Sequence, residues 1–144
     1  MSNYLCDFAS FNFGYAAYSA IELSFRKYTH YSMGFAGGIC FLSIHKIYKK
    51  YKGLSLFKKC VIGSMIITLT EFVFGIIFNK ILKKDIWDYS QMPFNIMGQV
   101  CPLFSVLWAF LCIPINFISK KIERLENKAR QWKFTAALRY TYND

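Results

Sequence analysis

The chain has 144 residues, 55% of them apolar and 19% aromatic, with a net charge of +10. That length suits one compact unit, and so large an apolar share is more than a soluble domain of this size usually carries. The charge is gathered into a few blocks rather than spread over a face, which argues against a nucleic-acid partner; no phosphate-binding loop, zinc-protease motif or hydrolase elbow occurs, so no catalytic activity and no cofactor is expected.

Four apolar runs lie between the charged blocks, at 8–25, 33–48, 60–79 and 100–119. A helix that crosses a bilayer needs roughly 20 residues. The first run is slightly short for this. Asp7 stands before it and no Lys or Arg comes earlier, so a cleaved signal peptide is not expected. It carries Gly14, Ala16 and Ala20, and near its end Glu22 sits four residues before Arg26, the favoured order for a helical ion pair.

The second run is the shortest and reaches Lys46, whose long stem can bring its charge to an interface. Gly34 and Gly38, with Gly37 beside them, have the small-residue spacing that lets membrane helices approach closely, within the chain or across a dimer.

The third run holds Glu71, flanked by Thr68 and Thr70 and without a basic residue one turn away. A carboxylate in a bilayer core costs about 2.5–3.5 kcal/mol on insertion scales, so it is expected to face the bundle interior and find a partner. Thr68, Asn95, Gln99 and His30 are the partners within reach of such a reading. Run 100–119 has no charge at all, which argues against a soluble bundle, whose helices need a polar face. Pro102 and Pro114 near its two ends are expected to kink it. After Ser119, the residues Ile122, Leu125, Ala129 and Trp132 recur at helical spacing among basic ones. This reads as a basic amphipathic helix, on the inner leaflet or continuing the fourth run.

Lys and Arg number six in the second loop and seven after Ser119, against two in the first loop and three in the third. The positive-inside rule then puts both termini and the second loop in the cytoplasm and the first and third loops outside. The five cysteines form no Cys-x-x-Cys pair and the two histidines lie apart, so no metal site is expected; the thiols read as small buried hydrophobes.

Residues 86–98 form a short aromatic and polar segment between the last two runs. Trp87 and Tyr89 have the apolar body and polar tip of interfacial anchors. Asp88 can cap a turn, Pro93 forbids regular continuation, and Asn95 and Gln99 approach the fourth run. The segment reads either as a re-entrant outer cap over a Glu71 pocket or as a simple ordered loop. Glu71, Glu22, Asp88, Asn95 and Gln99 are therefore the candidate substrate- or ion-binding residues, with Trp87, Tyr89 and Pro93 as a structural cap.

Several of these residues carry a resemblance. Thr70-Glu71-Phe72 with Gly75 and Asn79, then Ile86-Trp87-Asp88-Tyr89-Ser90, Pro93-Phe94-Asn95, Gly98-Gln99, Cys101, Phe104-Ser105 and Leu107-Trp108 resemble a family of small bacterial membrane proteins described as "putative ABC-transporter type IV" or "putative ABC transporter permease". Residues 28–38, with His30, Ser32, Met33, Gly37 and Gly38, resemble its shorter members, so the likeness spans about 14–119. It implies a permease role. Four helices are few for a transport subunit, so that role implies a homo-oligomer or other membrane subunits, and a separate nucleotide-binding ATPase. The chain departs from the family in Pro102 and in its long basic tail.

The expectation is thus an all-α, integral membrane four-helix bundle (1–119) in the bacterial cell membrane, with a basic cytoplasmic tail (120–144). It would serve as a transporter's permease component with an outer-half polar site around Glu71. The alternative is a non-transporting membrane scaffold whose polar cluster is structural.

Overall fold

The computed structural model describes residues 3–142, so the outermost residues of the two expected units (1, 2, 143 and 144) lie outside the described residues. Four α-helices carry the fold: α1 (Asn3–Arg26), α2 (Tyr31–Lys50), α3 (Leu56–Phe74) and α4 (Pro102–Tyr142). α3 runs on without a break into a π-helical stretch, Gly75–Ile81.

The helix ends follow local chemistry. α1 stops at Lys27, which adopts φ 64° and closes the last turn with its N–H on the Leu23 carbonyl. The His30 ring accepts from the Ser32 N–H and caps α2, whose last turn holds Lys49 and Lys50 against the negative end of the helix dipole. Ser55 caps α3 through the Lys58 N–H. Pro102 is the first residue of α4, where its missing N–H is no loss, so it starts the helix instead of kinking it; Pro114 does lie inside α4. The helix then continues through Ser119 to Tyr142, so the basic segment prolongs the fourth run.

α1 packs along α2 and α3 along α4, and α2 joins the two pairs. The first pair is close because the glycines of α2 make room for Phe11, Tyr15 and Tyr18 of α1, and a Cβ on Gly14 would stand 2.6 Å from the Gly37 carbonyl oxygen. The pairing of Gly37 with Gly14 lies within one chain. α3 and α4 are linked by Ser64 donating to the Ser105 carbonyl at 2.5 Å and by Thr68 and Ser105 sharing a hydrogen bond at 2.9 Å.

Two apolar clusters result. One joins Cys40, Ile44, Tyr48, Cys60, Ile67 and Cys112 in the middle of the bundle. The other joins Met33, Ile86 and Trp87 beneath the 82–101 loop. All five cysteines are buried and unbridged, as expected of small hydrophobes.

Polarity runs inward along α3 and the π-helical stretch. Ser64, Glu71 and Asn79 are buried, while Met65, Leu69, Val73 and Ile77 are exposed. Two helical segments among the described residues, Leu56–Ile81 and Pro102–Ala136, are long and apolar enough to cross a membrane.

Candidate functional site

Glu71 sits in the wall of a bundle cavity, 6% exposed, with both carboxylate oxygens occupied. The Tyr89 hydroxyl donates to Oε1 at 2.9 Å and the Trp108 indole Nε1–H donates to Oε2 at 3.0 Å. Neither donor was among the partners suggested by sequence. Thr68 is turned to Ser105, and His30 shares a 2.7 Å hydrogen bond with Ser32. Trp108 was the residue missed as a partner. The signal available was an indole N–H in a charge-free apolar run, since such a group needs an acceptor when buried.

Glu22 is also buried, near the end of α1. Its own partners are Arg26 at 3.2 Å, as the four-residue spacing suggests, and the Thr29 hydroxyl at 2.7 Å. Arg26 also donates to the Ile86 carbonyl and to the Tyr28 hydroxyl, and so ties the end of α1 to the 82–101 loop.

That loop is held by its own side chains together with helix residues beneath it. Asn79 is the hub, projecting from the π-helical stretch. In a regular α-helix a step of four residues overshoots the 3.6-residue turn, and the wider π turn absorbs the drift that would rotate Gly75 and Asn79 away from Glu71's face. Asn79 Nδ2 donates to the Trp87 carbonyl at 2.9 Å and to Gln99 Oε1 at 2.8 Å, while its Oδ1 accepts from the Ile86 N–H at 2.8 Å. Trp87 Nε1–H donates to the Gln99 carbonyl at 2.9 Å. Trp87 is 6% exposed, so it packs inside the protein and lines the cavity.

Asn95 donates to the carbonyls of Ser90 and Met92 and accepts from the Gly98 N–H. Asp88 accepts from the Ser90 N–H and hydroxyl, which hold its carboxyl below the usual range. Gly98 has φ 71°, and a Cβ there would stand 2.7 Å from Asp88 Oδ1. Pro93 is exposed in the same loop. The structure therefore brings Glu71, Glu22, Tyr89 and Trp87 together at one end of the bundle. Asp88, Asn95 and Gln99 are placed in the loop's internal bonding rather than beside the Glu71 carboxylate.

The cavity has a volume of about 270 Å³ and is lined from all four helices, with Ala17 and Tyr18 on α1, Met33 and Cys40 on α2, Glu71 on α3 and Ile118 on α4. Its surface is almost wholly apolar, because the polar atoms of Glu71, Thr70 and Trp87 are turned to protein partners.

A second polar cluster lies at the far end. His45 is 2% exposed; its Nδ1 shares a 2.7 Å hydrogen bond with Ser119, and its Nε2 stands 3.5 Å from Glu126. Glu126 also takes Lys49. Burial works against its charge, but Lys49 and His45 outweigh that and leave its carboxyl below the usual value of 4.5. Lys46–Asp7 at 2.7 Å and Lys52–Glu123 add ion pairs at the same end. No group of three or more metal-ligating side chains occurs among the described residues.

Residues 30–142 match the model of the family described as "Putative ABC-transporter type IV". No curated protein and no solved structure matches the chain.

Proposed function

This chain belongs to the family described as "Putative ABC-transporter type IV", and from that premise we propose that it is the membrane-embedded permease component of a transporter. The observation that carries this is the cavity bounded by all four helices with Glu71 in its wall. Open space beside an intramembrane carboxylate is what a cargo path requires and what simple helix packing removes.

The burial pattern supports placement in lipid. α3 and its π-helical extension hide Ser64, Glu71 and Asn79 and turn Leu69, Val73 and Ile77 outward, the reverse of what water favours. α1 and α2, at 24 and 20 residues, reach about 36 and 30 Å, enough for a hydrocarbon core of about 30 Å. On this reading all four helices span the membrane. The basic loop after α2 and the far end of α4 lie in the cytoplasm, with the 82–101 loop outside. Four spans per chain call for an oligomer or further membrane subunits. A separate ATPase would dock on the basic cytoplasmic face, and the chain itself would do no chemistry.

A scaffold role is the second reading, and one observation favours it: both Glu71 oxygens are already satisfied within the chain. The discriminating experiment measures yield and thermal stability of detergent-purified Glu71→Gln beside uptake or efflux of candidate solutes in cells. A variant that folds as the parent does and loses a transport phenotype supports the permease. A variant that transports normally or that simply unfolds supports the scaffold.

A further inference from the structure

The geometry points to the class of molecule that the Glu71 cavity holds: one long aliphatic chain, fatty acyl or isoprenoid, with its polar headgroup left outside. This rests on the reading of that cavity as the cargo site.

Three observations carry it. The first is chemical. A site for a sugar, amino acid or inorganic ion must offer unpaired polar groups, since a polar ligand that loses water without gaining partners is rejected. Here Glu71 is closed off by Tyr89 and Trp108, Thr70 donates to the Ile66 carbonyl at 2.8 Å, and the Trp87 indole is bound to Gln99. Asp88, Asn95 and Gln99 serve the loop, and of the other lining residues Tyr18 and Cys40 alone add a hydroxyl and a thiol. What faces the cavity is almost entirely hydrocarbon and aromatic surface.

The second is size. At about 270 Å³ the space is nearly twice the roughly 150 Å³ of an engineered apolar cavity that stays dry and takes benzene. It is smaller than the roughly 300–1,000 Å³ of pockets that enclose a whole drug-sized ligand. A part of a molecule fits, and that part is apolar. A helix from another protein copy, about 10 Å across, does not fit.

The third is access. α1 packs on α2 but barely meets α3 or α4, yet Phe13, Ala17 and Ile21 of α1 face Leu111, Pro114 and Ile118 of α4 across the cavity. Phe13 of α1 and Pro114 of α4 both line the cavity and are themselves exposed, so the cavity reaches the surface where these two helices leave each other unpacked. In a bilayer such an opening faces acyl chains.

The test uses tryptophan quenching by brominated chains. The reporter is the full chain carrying Trp132→Phe, which removes the exposed indole and leaves Trp87, buried in the cavity wall, and Trp108. One arm adds dibromostearic acid to the detergent-purified protein. The other reconstitutes it in phosphatidylglycerol brominated on its acyl chains. Ala17→Phe from α1 and Ile118→Phe from α4 each fill the cavity from opposite walls. The expected result is quenching in at least one arm that either filling variant cuts by half or more. Quenching only by the phospholipid assigns the chain to bilayer lipid, and only by the acid to a free fatty acid. The inference is overturned if quenching is absent from both arms, or is unchanged in whichever filling variant folds. Chain binding without any transport phenotype would sink the permease reading and leave this inference standing. A Glu71-dependent transport phenotype without quenching would do the reverse.

Discussion

The indole of Trp108 and the carboxylate of Glu71, 37 positions apart on α4 and α3, meet in a 3.0 Å hydrogen bond at the wall of the bundle cavity. With Tyr89 on the other oxygen, this contact fixes where the one carboxylate of α3 points and clamps the 82–101 loop over the helix ends. Removing a donor leaves a buried acceptor unsatisfied, which costs about 1–3 kcal/mol. Trp108→Phe and Tyr89→Phe are each expected to lower the stability of the purified protein by that amount. Thermal unfolding in detergent measures it. A loss below 0.5 kcal/mol in both would mean that the acid is held by something else.

Gly75 lies one turn beyond Glu71, and a Cβ there would stand 2.5 Å from Gln99 Oε1 and 2.9 Å from Gln99 Cβ. Gly75→Ala therefore pushes Gln99 off Asn79 and should cost about 1–3 kcal/mol as an overpacked site. The loop should loosen as well. Limited chymotrypsin digestion reads this directly, because Phe94 projects from the loop with 87% exposure and should be cut faster in the variant.

At the other end of the bundle, Glu126 has its carboxyl held below 4.5 by Lys49 and His45. A carboxylate with a depressed folded-state value contributes stability above its unfolded value and loses it as pH falls through the folded value. Glu126→Gln should thus be less stable than the parent at pH 7, and the gap should close as pH falls below about 4.5. Parallel melting curves across that range test the sign; a gap that widens toward acid would refute the assignment.

The α1–α2 pair depends on the contact between Gly14 and Gly37. Gly14→Leu cannot be accommodated without prising the helices apart, and its cost is expected to exceed 3 kcal/mol. Loss of a monodisperse peak in size-exclusion chromatography is the outcome to look for, while Gly53→Ala, in open space, should leave the peak unchanged.

Much of this was legible in the sequence because it depends on local spacing. The Glu22–Arg26 pair and the helices under the four apolar runs follow from periodicity and i,i+4 geometry, whereas Gly34 and Gly38, spaced for close helix approach, receive the Tyr15 and Phe11 rings and leave the small-residue contact to Gly14 and Gly37. The partners of Glu71 did not follow, since a contact spanning 37 positions depends on how α3 and α4 are rotated about their axes. Asn95 and Gln99 have the right chemistry to reach Glu71, but the backbone turns of the loop offer acceptors closer to hand. Pro102 was misplaced as a kink because proline at a first helical position and proline inside a helix look alike until the helix start is known. His45, Ser119 and Glu126 went unremarked as a cluster because they come from two distant segments.

α4 is one unbroken rod of 41 residues, about 60 Å from end to end, and Pro114 lies in it at the cavity wall. A molecule held in the cavity would touch this helix at Pro114, an interior position with no N–H to tie it to the turn before. From there to Ala136 the helix runs about 33 Å, so a bend of about 10° at Pro114 sweeps Ala136 through about 6 Å. Such a bend would make the molecule a pointer pivoted beside its own chamber: a displacement smaller than a side chain at the pivot would become one larger than a helical turn at the tip.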